Sequence, residues 1–220
     1  IRLKLKLPNL RSSFMDVHFP KEFPKENELS ASIRRIIFEE FFWLELYMAL
    51  EKMGIKREQA PAFDRGRRLA DALAASLPFQ LTNAQKRVFD EIFCDLKIPH
   101  PMHRLVQGDV GSGKTLVAFM SACVAKESGY QTAIMVPTEI LAEQHYKNAQ
   151  KLLSPLGVRV QLLVSQMSAK EHRQVREELA NGTIDLVIGT HALIEEYVIF
   201  HNLGLVVIDE QHRFGVEQRN

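Results

Sequence analysis

Apolar and polar positions along this chain follow two rhythms, and the change falls near Pro78. Upstream, Ile1 to Leu7 alternates apolar and basic residues, the period of a half-exposed strand. Pro8, Pro20 and Pro24 then punctuate a stretch carrying Lys21, Glu22, Lys25 and Glu26, which reads as an irregular, solvated connector. Ser30 or Ser32 can cap the helix that follows. Its apolar residues Ile33, Ile36, Ile37, Phe41, Leu44 and Met48 recur at helical spacing up to Met53, and Gly54 is a stop signal. With Phe38, Phe42, Trp43 and Tyr47 added, this helix is apolar around most of its circumference, so burial against a further domain is expected. A second helix is predicted from about Phe63 to Leu77, ended by Pro78; Arg65, Arg67 and Arg68 near its start read as a solvated face.

Beyond Pro78 the pattern alternates between helix and strand. Helices are predicted at Asn83 to Leu96, Lys114 to Glu127, Glu139 to Leu153 and Ala169 to Ala180. Strands are predicted at His103 to Gln107, Thr132 to Val136, Val158 to Val164, Asp185 to Ile188 and Leu205 to Ile208. Runs such as Leu186-Val-Ile188 and Leu205-Val-Val-Ile208 lack polar interruptions, as expected for a parallel sheet covered on both faces. The fold class is therefore α/β, with a boundary at Pro78: a connector and helical segment over residues 1–77, and a sheet domain over 78–220.

The chemistry concentrates at the ends of the predicted strands. Gly108-Asp109-Val110-Gly111-Ser112-Gly113-Lys114-Thr115 fits G-x-x-x-x-G-K-[ST] between a predicted strand and a predicted helix. Its glycines let backbone N–H groups close around phosphate, and the nascent helix adds its positive end. Lys114 can place its ammonium on the β- and γ-oxygens, and Thr115 can offer a hydroxyl to Mg²⁺. The bound species is accordingly expected to be ATP with Mg²⁺. A carboxylate pair, Asp209-Glu210, ends the last apolar strand. Asp209 suits the metal shell and Glu210 the orientation of attacking water, with His212 next to them able to sense hydrolysis. Gln85 has an amide that can pair two ways with an adenine edge, and Phe79 can lie near the ring; Thr82 is equally a good helix cap there. Pro137-Thr138 and Gly189-Thr190-His191 each follow a strand, where free N–H groups and hydroxyls suit phosphate-backbone contacts or ordinary capping.

These blocks together resemble the superfamily-two helicases. The resemblance rests on Gly108 to Thr115, Asp209-Glu-Gln-His-Arg-Phe-Gly215, Pro78-Phe-Gln-Leu-Thr82 with Gln85, Val136-Pro-Thr-Glu-Ile-Leu-Ala-Glu-Gln144 and Ile188-Gly-Thr-His-Ala-Leu193. More narrowly it is similar to the RecG family of branch-migration helicases and to the Mfd transcription-repair translocases. His18-Phe-Pro20 and the helix containing Phe38 favour the former. The resemblance implies a RecA-like sheet preceded by a helical linker that follows a wedge domain, and ATP-driven translocation on branched or duplex DNA. It implies Lys114, Asp209, Glu210 and His212 as catalytic residues, Thr115 and Asp209 as metal ligands, and the residues at 137–138 and 189–191 as DNA contacts. It further implies a second RecA-like lobe supplying arginine fingers, a monomer, and a bacterial cytoplasmic, nucleoid-associated location. The rival readings are an Mfd-like translocase, a nuclease-coupled translocase and a non-catalytic ATP-binding module.

Composition refines this picture further. With 220 residues, 46% hydrophobic and 25% charged, the chain suits a folded domain plus a smaller appendage. Its formal charge of +1 predicts no polyanion partner from bulk charge, so any nucleic-acid surface must be local. Cys94 and Cys123 have no CxxC partner, which speaks against zinc or a disulfide framework and fits a reducing compartment. Glu39, Glu40 and Glu45 interrupt the most apolar long stretch, so it is not a membrane span, and no signal-peptide pattern opens the chain. Because it starts at Ile1 and stops at Asn220 directly after a dense motif, it reads as a piece of a longer protein, expected by itself to be nearly inactive.

Overall fold

Four apolar runs assemble into one parallel sheet in the computed structural model of the chain, which describes residues 5–20, 30–55 and 59–209. The strands are β1 (Gln131–Met135), β2 (Val160–Leu163), β3 (Leu186–Gly189) and β4 (Leu203–Ile208), in the order β2-β3-β1-β4. Register places Ile134 beside Ile188 on one side and Val207 on the other. Side chains alternate across the sheet as the pleat requires. Ile134, Val136, Leu186 and Ile188 enter one core, while Ala133, Met135, Leu163 and Val187 enter a second on the opposite face.

The helices divide between these two faces. Helices α4 (Asn83–Leu96), α5 (Lys114–Glu127) and α6 (Glu139–Leu153) contribute Phe89, Val124, Ala142 and Leu153 to the first core. Helix α7 (Ala169–Ala180) contributes Val175 and Leu179 to the second. This placement follows from handedness. The chain moves across the sheet one way from β1 to β2 and the other way from β2 to β3, so right-handed crossovers put α6 and α7 on opposite faces. Leu153, Leu186 and Ile188 are wholly inaccessible; each contributes about 1.5–3 kcal/mol relative to exposure.

Two compact units divide between residues 58 and 59. The segment expected to belong with the connector up to Leu77 is instead packed on the sheet unit. Phe63 stacks on Tyr130 at 5.0 Å, and Ala70 and Leu73 of α3 (Arg68–Ser76) are fully buried in the first core. Arg65 and Arg68 are exposed, as a solvated face would be, whereas Arg67 is half-buried. Arg67 bridges Asp71 and Asp90 at 3.4 and 2.5 Å, and Arg68 faces Glu127, whose carboxylate accepts from the Leu69 N–H at the start of α3. Gly204 is required where β4 passes Tyr130, since a Cβ there would come within 2.6 Å of the tyrosine Cβ.

In the smaller unit, α1 (Leu10–His18) packs on α2 (Ala31–Ile55), and Ser32 donates to Asp16 at 3.0 Å. Helix α1 corrects the expectation of an irregular connector: Asn9 accepts from the Arg11 N–H and caps a run bounded by Pro8 and Pro20. The alternating segment is not a strand at its described end. Leu5 and Lys6 form a turn, with Lys6 at a left-handed φ of 52°; residues 1–4 lie outside the described residues. Ser30 caps α2 by accepting from the Ile33 N–H at 3.1 Å, and Phe41, Trp43, Tyr47 and Met48 on that helix are exposed.

One predicted strand is absent. Among the described residues, 103–107 have no ladder partner, and Leu105 is 69% exposed. Arg104 instead binds Glu91 and Asp95 of α4 at 2.7 and 2.6 Å, fixing the segment to that helix rather than to the sheet. Among the described residues strand β4 pairs with β1 alone and is only partly covered, with Val206 exposed.

Candidate nucleotide and nucleic-acid site

Helix α5 sets the position of the glycine-rich loop. Its fourteen residues span about 21 Å, somewhat more than the roughly 17 Å of five-residue β1. The short Ser128–Tyr130 connection makes the helix double back along β1, and it packs on both β1 and β4. The N-terminus of α5, with residues 108–113 before it, therefore lies toward the carboxyl ends of the strands. Asp209 follows the carboxyl end of β4, and its N–H donates to Met135 O at 2.9 Å at the end of β1. Loop and carboxylate thus emerge at one edge of the sheet, the edge at which open α/β sheets bind ligands.

The loop's conformation fits a phosphate. Gly111 and Gly113 have φ of 81° and 85°, which L side chains rarely adopt. Gly113 precedes α5 without any side-chain cap, leaving first-turn N–H groups for an anion. Lys114 Nζ donates to the loop's own carbonyls, Gly108 O at 2.7 Å and Asp109 O at 3.0 Å, so its ammonium is held over the loop. The Ser112 N–H donates to Asp109 O at 3.1 Å, closing the turn, and Val110 is fully exposed at its tip. Thr115, in the first turn of α5, is half-buried.

Gln85 reaches the same loop from α4. It completes a capping box, its N–H donating to Thr82 Oγ1 at 3.2 Å and its Oε1 accepting from the Thr82 N–H at 2.9 Å. Its Nε2 donates to Ser112 O at 2.9 Å. A Cβ on Gly113 would meet that amide, the movable end of the Gln85 side chain, so it is the positive φ that calls for glycine here. The amide expected to read adenine is thus engaged at both ends by the protein. Phe79 is exposed in a shallow depression with Leu77, Pro78, Leu81 and Lys86, whose lining includes none of the loop residues.

The presumed nucleic-acid contacts separate into exposed and buried sets. Thr138 is exposed and caps α6, its hydroxyl accepting from the Leu141 N–H at 3.4 Å; Pro137 is half-buried and Ile140 exposed beside it. Gly189 and Thr190 depart from expectation. Gly189 is buried in β3, where a Cβ would strike the Leu163 carbonyl, and Thr190 is 2% exposed with its hydroxyl unpartnered. Of that trio only His191 is exposed. Glu210 and His212 lie outside the described residues.

One residue at this edge escaped the sequence reading. His145 Nε2 lies 3.3 Å from Asp209 Oδ2. The available signal was periodicity: His145 shares the inner face of α6 with buried Ala142 and Ala149, where a polar residue needs a reason. Cys123, by contrast, is an inert core thiol, pushed up to about 12 by burial.

Comparison with known proteins agrees with this geometry. The DEAD/DEAH box helicase family matches residues 82–220. Among curated proteins, the chain is 46% identical over 220 residues to the ATP-dependent DNA helicase RecG of Synechocystis sp., covering 100% of this chain and 26% of that one. It is 48% identical over 219 residues to RecG of Thermotoga maritima (98% and 27%) and 49% identical over 222 residues to RecG of Staphylococcus aureus strain MSSA476 (100% and 32%). Among solved structures, RecG bound to a three-way DNA junction superposes with a TM-score of 0.86 at 42% identity, covering 97% of this chain and 29% of that one. The chain therefore spans about a quarter to a third of the length of these relatives. With the match extending over the capping box, the phosphate loop and the acidic strand end alike, this chain belongs to the DEAD/DEAH box helicase family.

Proposed function

We propose that these residues form the connector and first motor lobe of an ATP-dependent translocase that remodels branched DNA, such as stalled forks and recombination junctions. The observation that carries this reading is the emergence of the Gly108–Thr115 loop and Asp209 at one sheet edge, beside the exposed N-terminus of α6. The likeness to RecG, including a RecG bound to a three-way junction, supports branched DNA as the substrate.

In this reading the N–H groups of the loop and Lys114 hold the phosphates of ATP, with Lys114 exchanging its carbonyl partners for phosphate oxygens. Thr115 and Asp209 hold Mg²⁺, which when bound neutralises charge on the phosphates. Glu210 orients the attacking water, and His212 carries the change in phosphate state onward. Gln85 releases Ser112 to meet the adenine edge, with Phe79 beside the ring. Pro137, Thr138, Gly189, Thr190 and His191 belong to the DNA-facing loops; given their burial, Gly189 and Thr190 act there by shaping the backbone, and Thr138 and His191 by direct contact. Such contacts to phosphate carry no base code, so the substrate is chosen by shape.

The working enzyme in this proposal is a longer monomeric chain with a wedge domain and a second RecA-like lobe, whose arginine fingers stabilise transition-state charge. It acts in the bacterial cytoplasm at the nucleoid. Among the described residues no helix is long and apolar enough to cross a membrane. The test uses the full-length protein. Glu210→Gln should retain ATP and lose turnover, whereas Lys114→Ala should lose both. Normal hydrolysis by both variants would end the assignment.

A further inference from the structure

The glycine-rich loop is anchored unevenly at its two ends. Downstream it runs into α5, which packs on β1 and β4. Upstream it continues from residues 103–107, which among the described residues have no ladder partner and no backbone–backbone hydrogen bond to another element. Val106 packs against the first core, and Arg104 supplies the polar attachment. Its Nε donates to Asp95 Oδ2 at 2.8 Å, with Nη2 2.6 Å from the same oxygen, and its Nη1 donates to Glu91 Oε2 at 2.7 Å. Glu91 and Asp95 stand four positions apart on α4, so a single guanidinium spans both. A lone exposed ion pair would add little, but charge-assisted bonds shared among three side chains hold a defined geometry.

We infer that Arg104 is a positioning residue for the nucleotide loop, acting through α4. It stands four positions before Gly108, close enough that its bridges set where the loop begins. Gln85, near the opposite end of the same helix, donates to Ser112 O at 2.9 Å. Helix α4 thus grips both the approach to the loop and its far side, from points about 9 and 15 Å apart along its axis. The two attachments part company when nucleotide binds. In the proposed function Gln85 leaves Ser112 for the adenine edge, and the Arg104 bridges are then what keeps the loop's approach on α4. The N–H groups that face phosphate converge only while Gly108 keeps its place, and small displacements of binding groups are costly. The inference rests on the proposed ATP·Mg²⁺ site and deepens it.

The test is made on the full-length protein with a fluorescent, non-hydrolysable ATP analogue and Mg²⁺, and with a melting curve for each variant. Arg104→Ala should weaken analogue binding on the order of 10-fold, while the melting temperature stays within a few degrees of the parent. Arg104→Lys, whose ammonium can serve one carboxylate but not span both, should fall between the two. The double variant Glu91→Ala/Asp95→Ala removes the bridges from the helix side and should lose about as much binding. Combined with Arg104→Ala it should lose no more than either alone, because the three side chains act as one unit. If Arg104→Ala prevents folding, the helix-side double variant carries the same expectation. Parent-like binding in Arg104→Ala or in the double variant overturns the inference, whatever the melting curves show. Losses that multiply in the combined variant overturn it as well, since Arg104 would then act other than through α4. Lys114→Ala is run alongside: undiminished analogue binding there would overturn the site reading itself, whatever Arg104 does.

Discussion

Along the amino edge of the sheet every strand start is tied down by polar groups bonded to one another. Asp185, before β3, receives Lys126 at 2.8 Å and Arg159 at 3.3 Å, while Lys126 also donates to the Gly157 carbonyl. Gln131, first in β1 and 5% exposed, donates to Leu179 O and Ile184 O and accepts from the Asn202 N–H ahead of β4. Along the carboxyl edge the polar groups rest on provisional partners. Lys114 bonds its own loop and Gln85 bonds Ser112. The contrast separates stability from function. Satisfied, enclosed pairs fix the strand starts, and groups whose present bonds can be exchanged for a ligand's face the other way.

The comparison breaks most visibly at Lys114. Lys114→Ala removes the cation held over the glycine-rich loop, so on the proposed reading full-length ATP turnover should fall about 10²- to 10³-fold or more. Thermal stability should scarcely change, because a half-buried lysine bonded only to the carbonyls of its own loop contributes little to the fold. Steady-state hydrolysis and a melting curve together check it. A large loss of stability would mean that the loop lysine belongs to the structural class after all.

The reciprocal change lies at Asp185. Asp185→Ala strands Lys126 and Arg159 around an empty position and should cost about 2–4 kcal/mol, read as a lowered midpoint in urea. Hydrolysis per folded molecule should be unaffected. The same carboxylate predicts a pH dependence. Burial pushes its pKa up, but hydrogen bonds from Arg159 and Lys126 outweigh burial and hold it below the ordinary aspartate value. A depressed folded pKa contributes stability that is present above about pH 4 and is lost as pH falls through the folded value. Urea midpoints measured downward from pH 6 should therefore drop more steeply for the parent than for Asp185→Asn.

What could be read from the sequence divides along physical lines. Helices α4, α6 and α7 start and end where their caps and periodicity place them, because Thr82, Thr138 and Ser168 make local bonds that do not depend on the rest of the fold. The glycine-rich turn ahead of α5 was equally legible as a turn, since glycine at positive φ and a following helix are local properties. Residues 103–107 were misread because a strand exists only with a ladder neighbour, and Arg104 finds α4 instead. Helix α1 was missed since flanking prolines suggested irregularity, although prolines outside a helix delimit it as readily. His145 was missed because its partner, Asp209, is remote in sequence and meets it only when α6 crosses the end of β4.

The finest division between the two classes is Thr82 against Gln85, which share one capping box but face different tasks. Thr82→Ala removes a cap and nothing else, so it should cost about 1 kcal/mol and lower the melting temperature by a few degrees. Gln85→Ala loses its half of the same box and also the Nε2 bond to Ser112 O. If Gln85 is structural only, the two variants should match in both melting temperature and nucleotide affinity. If its amide serves the nucleotide, Gln85→Ala should weaken ATP binding several-fold at a similar melting temperature, and the loss should be smaller for GTP, whose base edge presents other groups to that amide. Titrating both nucleotides into both variants separates the outcomes. Equal losses for ATP and GTP would instead assign Gln85 to holding the loop.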